Sequence, residues 1–168
     1  MNTFTYLALG DSYTIGESVP ADQNFPAQLS QKLEKTSNLS CKKLKIIAKT
    51  GWTTDELQKG IQRAKPGSDF DLVTLLIGVN NQYRSYGQDQ YKKEFSELLR
   101  QAISFASGNQ SKVIVVTIPD YGCTPFGAEM ADKIYTDLVW YNETATKIAR
   151  NSGVEVVDIF AISRKAKT

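Results

Sequence analysis

The chain has 168 residues, 41% of them hydrophobic, and its 20 lysines and arginines against 18 acids leave a net charge of only +2. That length and balance predict one soluble domain with a real core. They argue against a nucleic-acid partner, since the densest basic cluster, Cys41-Lys42-Lys43-Leu44-Lys45, reads as the solvated lead-in to a strand. No apolar run approaches the ~20 residues of a membrane span, and Cys41 and Cys123 are too few and too far apart for a disulfide scaffold or a zinc site, so neither metal nor cofactor is expected.

The first predicted strand, Thr5 to Leu9, begins almost at Met1. No room is left for a signal peptide, and a cytoplasmic location is expected unless a leader has been removed. Asn24-Phe25-Pro26 opens a helix with proline in its first turn, and Phe25, Leu29 and Leu33 share one face. Leu44 to Ala48 is the second strand, and Thr53 to Glu56 has the form of a capping box with Leu57 and Ile61 following at helical spacing. Asp71 to Ile77 is nearly continuous apolar sequence, as a central parallel strand covered on both faces requires. Tyr91, Phe95, Leu98, Leu99, Ala102 and Ile103 form a wide helical stripe. Lys112 to Ile118 is another buried strand, Met130 to Ile148 carries a long helical pattern, and Val154 to Ile159 is a fifth strand. Strand and helix alternate from end to end, which predicts an α/β fold with a parallel sheet and helices on both faces.

In such sheets ligands bind outside the carboxyl ends of the strands. Four polar or glycine-bearing segments fall there: Gly10-Asp11-Ser12-Tyr13, Thr50-Gly51-Trp52, Gly78-Val79-Asn80-Asn81 and Pro119-Asp120-Tyr121-Gly122. A glycine at a strand end lets the chain turn sharply and puts the next side chains at the mouth of the sheet. Ser12, just ahead of a helix, then stands among backbone N–H groups that can hold an oxyanion or equally a phosphate. Each segment alone also fits a plain turn: Asn80 as an Asx-turn residue, Gly51 as a loop glycine. Together they offer a serine oxygen and three donors, the Ser12 N–H, the Gly51 N–H and the Asn80 amide, which is what acyl transfer requires.

On these segments the chain resembles the SGNH hydrolases, or GDSL esterase/lipase family. Gly10-Asp11-Ser12 with Tyr13 matches the nucleophile block, Gly51 the lone glycine of the second block, and Gly78-x-Asn80 the third, with Asn81 where many members have Asp. The resemblance spans essentially the whole chain. It implies a flavodoxin-like three-layer α/β/α sandwich over residues 1–168, with a five-stranded parallel sheet in the order 2-1-3-4-5. It also implies metal-free hydrolysis of a small carboxylic ester, lysophospholipase-like among other possibilities. Ser12 would attack, Ser12, Gly51 and Asn80 would form the oxyanion hole, and Asp11 and Asn81 would support them.

The family's last block, Asp-x-x-His, supplies the general base, and this chain contains no histidine. Asp158 is a poor substitute, because Ala161 stands three residues later and the strand itself accounts for Asp158. Asp11 adjoins Ser12, but a carboxylate of ordinary pKa is a poor base toward a hydroxyl. Two expectations follow. One is a chain cut short at its C-terminus, without the helix that should follow the fifth strand, leaving one face of the sheet thinly covered beside that strand. The other is an inactive relative that binds an acyl or carbohydrate ligand. A flavin or nucleotide site at Gly10 to Ser12 would leave Gly51 and Asn80 unexplained. Trp52, Tyr83, Tyr86, Tyr121 and Phe126 fall near the predicted rim, as acyl-pocket lining or as core, and Arg84 is either a head-group contact or a surface residue.

Overall fold

The computed structural model describes residues 2–165. Its elements run β1 (Asn2–Gly10), α1 (Ser12–Ile15), α2 (Phe25–Ser37), β2 (Leu39–Ala48), α3 (Thr54–Ala64), β3 (Leu72–Leu76), α4 (Val79–Tyr83), α5 (Gln88–Phe105), β4 (Val113–Val116), α6 (Ala131–Asn151), β5 (Glu155–Val157) and α7 (Phe160–Lys165). Local chemistry starts the helices where the sequence places them. Asn24 accepts from the Ala27 N–H at 2.9 Å to cap α2, and Thr53 and Glu56 close a reciprocal capping box on α3.

The five strands form one parallel sheet in the order β2-β1-β3-β4-β5. The first connection moves one way along the sheet and every later one moves back across it. Right-handed crossovers therefore put α2 on one face and α3, α5 and α6 on the other. The register aligns Ile47, Leu9, Leu75, Val115 and Val156 in one row across all five strands. On the three-helix face this row packs against Leu57 and Ile61 of α3, Phe95 and Leu98 of α5, and Leu138 and Ala145 of α6. Opposite it, Phe4, Tyr6 and Ala8 of β1 meet Leu29 and Leu33 of α2.

Past β1, the described residues put little over that second face. A cleft of about 500 Å³ opens between α2 and β3–β5, walled by Tyr13, Phe25, Leu29, Leu76, Ile114, Val116, Val157 and Ile159. Val157 is 43% exposed. The thin cover expected beside the last strand is present.

The expectation that no helix follows the fifth strand needs correction. Strand β5 ends at Val157, and Asp158 caps a further helix, α7, accepting from the Phe160 N–H at 2.9 Å. Asp158 is held by the Thr117 hydroxyl (3.1 Å), which itself accepts from the Ile159 N–H (2.9 Å). The cap ends the strand two residues earlier than apolar patterning indicates. Helix α7 packs beside the Tyr121–Cys123 turn rather than over the cleft, so the face stays open despite it. The second strand also starts earlier than Leu44, because Leu39–Cys41 pair with Asn2–Phe4 across a bulge. No helix among the described residues is long and apolar enough to cross a membrane.

Candidate active site

Strand β1 delivers Gly10, Asp11 and Ser12 to the carboxyl edge of the sheet. A Cβ on Gly10 would stand 2.1 Å from Thr14 Oγ1 and 2.5 Å from the Leu76 carbonyl oxygen. Only glycine lets α1 fold back so tightly over β3. Asp11 caps α1, its Oδ1 accepting from the Tyr13 N–H at 3.0 Å, while its carbonyl accepts from Thr14 and Ile15. The Asp11 side chain is wholly buried, and Oδ2 has no partner among the described residues. Burial pushes its pKa up to about 7, against the pull of the Tyr13 N–H bond. The ordinary carboxylate pKa expected from sequence therefore does not apply to it. Burial also raises the Tyr13 phenol well above its usual value, with Asp11 adding to the effect.

Ser12 is the first residue of α1 and half-buried. Neither its hydroxyl nor its N–H has a hydrogen-bond partner among the described residues. It lines a cleft of about 300 Å³ with Tyr13, Val79, Asn80, Tyr83, Tyr121 and Phe126.

Gly51 sits in the turn after β2 with φ +85°. The nearest atom to a Cβ there would be Arg84 Nη2 at 3.5 Å, so glycine is needed for the backbone angle rather than for space. Its N–H has no partner among the described residues. Its carbonyl accepts from Arg84 Nη2 at 2.7 Å, and Arg84 also pairs with Glu56 at 3.3 Å. The next carbonyl, of Trp52, accepts from Asn80 Nδ2 at 2.9 Å.

Ser12 and Asn80 thus share a cleft wall, and the Gly51–Trp52 turn is tied to Asn80 and Arg84 from outside it. Asn81 points the other way. It is buried, its Oδ1 accepting from the Thr54 N–H (3.1 Å) and its Nδ2 donating to the Thr54 hydroxyl (2.7 Å). It fastens the start of α3 to α4.

The rim aromatics divide. Tyr83, Tyr121 and Phe126 wall the cleft. Trp52 turns inward to pack on the core beside Gly60, and Tyr86 stands outside the cleft, its carbonyl accepting from the Tyr141 hydroxyl at 3.4 Å. Asp120 is buried and does not line the cleft, accepting from the Gly122 N–H at 2.9 Å and paired with Arg164 at 2.5 Å. Gln82 is a residue that sequence reading passes over. Its Oε1 accepts from the Tyr121 hydroxyl at 2.7 Å and its Nε2 donates to Asp137 at 2.9 Å, fixing one cleft wall to α6. Nothing in its local sequence marks it, since both partners are remote along the chain. Among the described residues no group of three or more potential metal ligands comes together.

Solved structures share this architecture. An α/β hydrolase from the metagenome of Lake Arreo, Spain, superposes with a TM-score of 0.75 at 18% identity, covering 99% of this chain and 82% of its own. A W215I variant of an acetyl xylan esterase from Geobacillus stearothermophilus gives 0.76 at 18%, covering 99% and 81%. A lipase/acylhydrolase from Enterococcus faecalis gives 0.70 at 18%, covering 96% and 78%. At these identities the likeness speaks for the fold. A search of curated proteins finds no match. The model of the GDSL-like lipase/acylhydrolase family, by contrast, matches residues 8–168, nearly the whole length. The chain belongs to the GDSL-like lipase/acylhydrolase family.

Proposed function

We propose that this site hydrolyses a carboxylic ester with Ser12 as the nucleophile. Ser12 Oγ would attack the ester carbonyl, and the alcohol would leave with a proton. Water would then cleave the acyl-serine to regenerate the hydroxyl. Negative charge on the carbonyl oxygen would be met by the Ser12 N–H, the Gly51 N–H and the second amide hydrogen of Asn80. The observation that carries this reading is that the first two donors have no partner among the described residues, while the third is held in place by the carbonyl next to Gly51.

No imidazole exists in these 168 residues. Asp120 is committed to Arg164. Asp11 has a pKa suited to the task, but it is buried and makes no bond to the Ser12 hydroxyl. Removing the base of a serine triad can lower turnover about a millionfold, so the 168-residue chain is expected to cleave p-nitrophenyl acetate barely above background. Joining an Asp-x-x-His segment from a relative after Thr168 should raise that rate by orders of magnitude, and Ser12→Ala should abolish the gain. Brisk hydrolysis by the unextended chain that survives Ser12→Ala would end the proposal.

The missing histidine also favours a second reading, a relative that binds an acyl or carbohydrate ligand without turning it over. An extended chain that binds the ester yet leaves it intact would select that reading.

A further inference from the structure

The wall of the Ser12 cleft is aromatic and uncharged. Ser12, Tyr13, Val79, Asn80, Tyr83, Tyr121 and Phe126 line it, with no lysine, arginine, aspartate or glutamate among them. The charges nearby are already engaged. Arg84 is bound to Gly51 and Glu56, Arg164 to Asp120, and Lys133 to Asp137 at 2.6 Å. Burial holds the Tyr121 phenol above its ordinary pKa, and its neighbours Asp137 and Asp120 push it the same way.

Two of the wall residues face solvent. Phe126 is 76% exposed and Tyr83 58%. Their ring centroids lie 6.3 Å apart, and Phe126 lies 6.2 Å from Tyr121. Phe126 is not on a loose loop. It is carried by three consecutive turns, closed by Thr124 N–H to Tyr121 O (3.0 Å), Gly127 N–H to Thr124 O (3.1 Å) and Met130 N–H to Gly127 O (3.1 Å). Tyr121 at their base is hydrogen-bonded to Gln82. Tyr83 comes from a different element, the last residue of α4. Two separately anchored elements thus hold exposed aromatic rings on the cleft wall that Ser12 shares. The cleft of about 300 Å³ has room for ~10 non-hydrogen atoms at the volume of a water each.

We infer that Tyr83 and Phe126 form a platform that selects an uncharged, short-acyl ester carrying a flat ring, whose apolar face lies on the two aromatic side chains beside Ser12. This rests on the proposed ester site and adds its substrate class. The ring is an aryl group or the C–H face of a pyranose, since both offer a flat apolar surface to an aromatic ring. Phosphate-bearing lipid esters are disfavoured, because the wall provides no cation to meet them.

The unextended 168-residue chain is the right material for a test, because a chain without the base should bind esters and leave them intact. Amide chemical shifts in 15N-labelled protein would be followed during titration with 4-fluorophenyl acetate, methyl tri-O-acetyl-β-xyloside, anionic 4-acetoxybenzoate and ring-free ethyl butyrate. At least one of the two neutral ring esters should saturate shifts around residues 80–84 and 121–127, and which one does so identifies the ring. The anionic and ring-free esters should bind at least about fivefold more weakly. Tyr83→Ala and Phe126→Ala, both at exposed positions, should each weaken the ring ester about fivefold while leaving the remaining spectrum unchanged. Equal binding of the anionic ester, unchanged affinity in both variants, or no saturation by either ring ester would overturn the inference. Shifts at the platform with Ser12 and Gly51 amides silent would uphold the platform and count against the ester-site reading.

Discussion

The two faces of the sheet are made from the same strands and the same kinds of residue, yet they end in different states. Leu75 and Val115 point toward α3, α5 and α6 and are completely buried. Their neighbours Ile114, Val116 and Val157 point to the other face, where α2 covers only β1 and β2, and they line an open cleft. Strand chemistry does not produce this difference, since Val113-Ile114-Val115-Val116 is as apolar on one side as on the other. Connectivity does. Three crossovers return on one face and one on the other, so apolar patterning records what a strand can bury, while topology decides what it does bury.

The largest test of that contrast is a matched truncation. Leu75→Ala, on the covered face, should cost about 3–4 kcal/mol in urea unfolding, since packed surroundings cannot collapse into the void. Ile114→Ala, one strand over on the open face, should cost about 1 kcal/mol, because solvent already reaches its site. Equal losses would mean that the cleft is filled in solution.

A second test concerns Asp11, whose dry setting is the cost of closing the chain tightly at the end of β1. Its folded pKa of about 7 lies above the ordinary 3.8. Between those values the unfolded carboxyl ionises while the folded one stays protonated. Its contribution to stability therefore falls as pH rises from about 4 to 7 and is level above that. Asp11→Asn keeps a good helix cap and removes the ionisation. It should nearly match the parent at pH 4 and exceed it by roughly 4 kcal/mol at pH 8, measured by unfolding at both pH values. A variant destabilised equally at both would show that the burial penalty is absent.

The smallest effect is expected at the outer edge of the open face. Val157→Lys should shift stability by less than about 0.5 kcal/mol. It should nevertheless reduce the fluorescence of a hydrophobic dye bound to the cleft, because a charge now stands in an apolar patch. Unchanged dye binding would place the dye elsewhere.

Much of the fold was legible because periodicity is a local property. The apolar run Asp71 to Ile77, the stripe from Tyr91 to Ile103 and the capping box at Thr53 each gave an element close to its true bounds. Where reading failed, a remote partner was responsible. Leu39–Cys41 became strand only by pairing with Asn2–Phe4, and Asp158 became a cap only because Thr117 holds it. The same division runs through the site. Gly10, Ser12, Gly51 and Asn80 are visible in sequence because a turn, a hydroxyl and an amide at strand ends are chemical signals that one parallel-sheet rule brings to one edge.

What the sequence by itself determined about this protein is the order of its elements, the five-stranded parallel sheet, the membership that its strand-end motifs carry, and the absence of an imidazole from these residues. Tertiary structure alone decided that Asn81 fastens α3 rather than facing the cleft, and that Trp52 turns into the core while Phe126 stands out in solvent. It also decided that burial lifts the Asp11 carboxyl far above its ordinary pKa. The physical reason is common to all three. A side chain's direction and dielectric are set by the elements that close around it, and those come from parts of the chain that no local window spans.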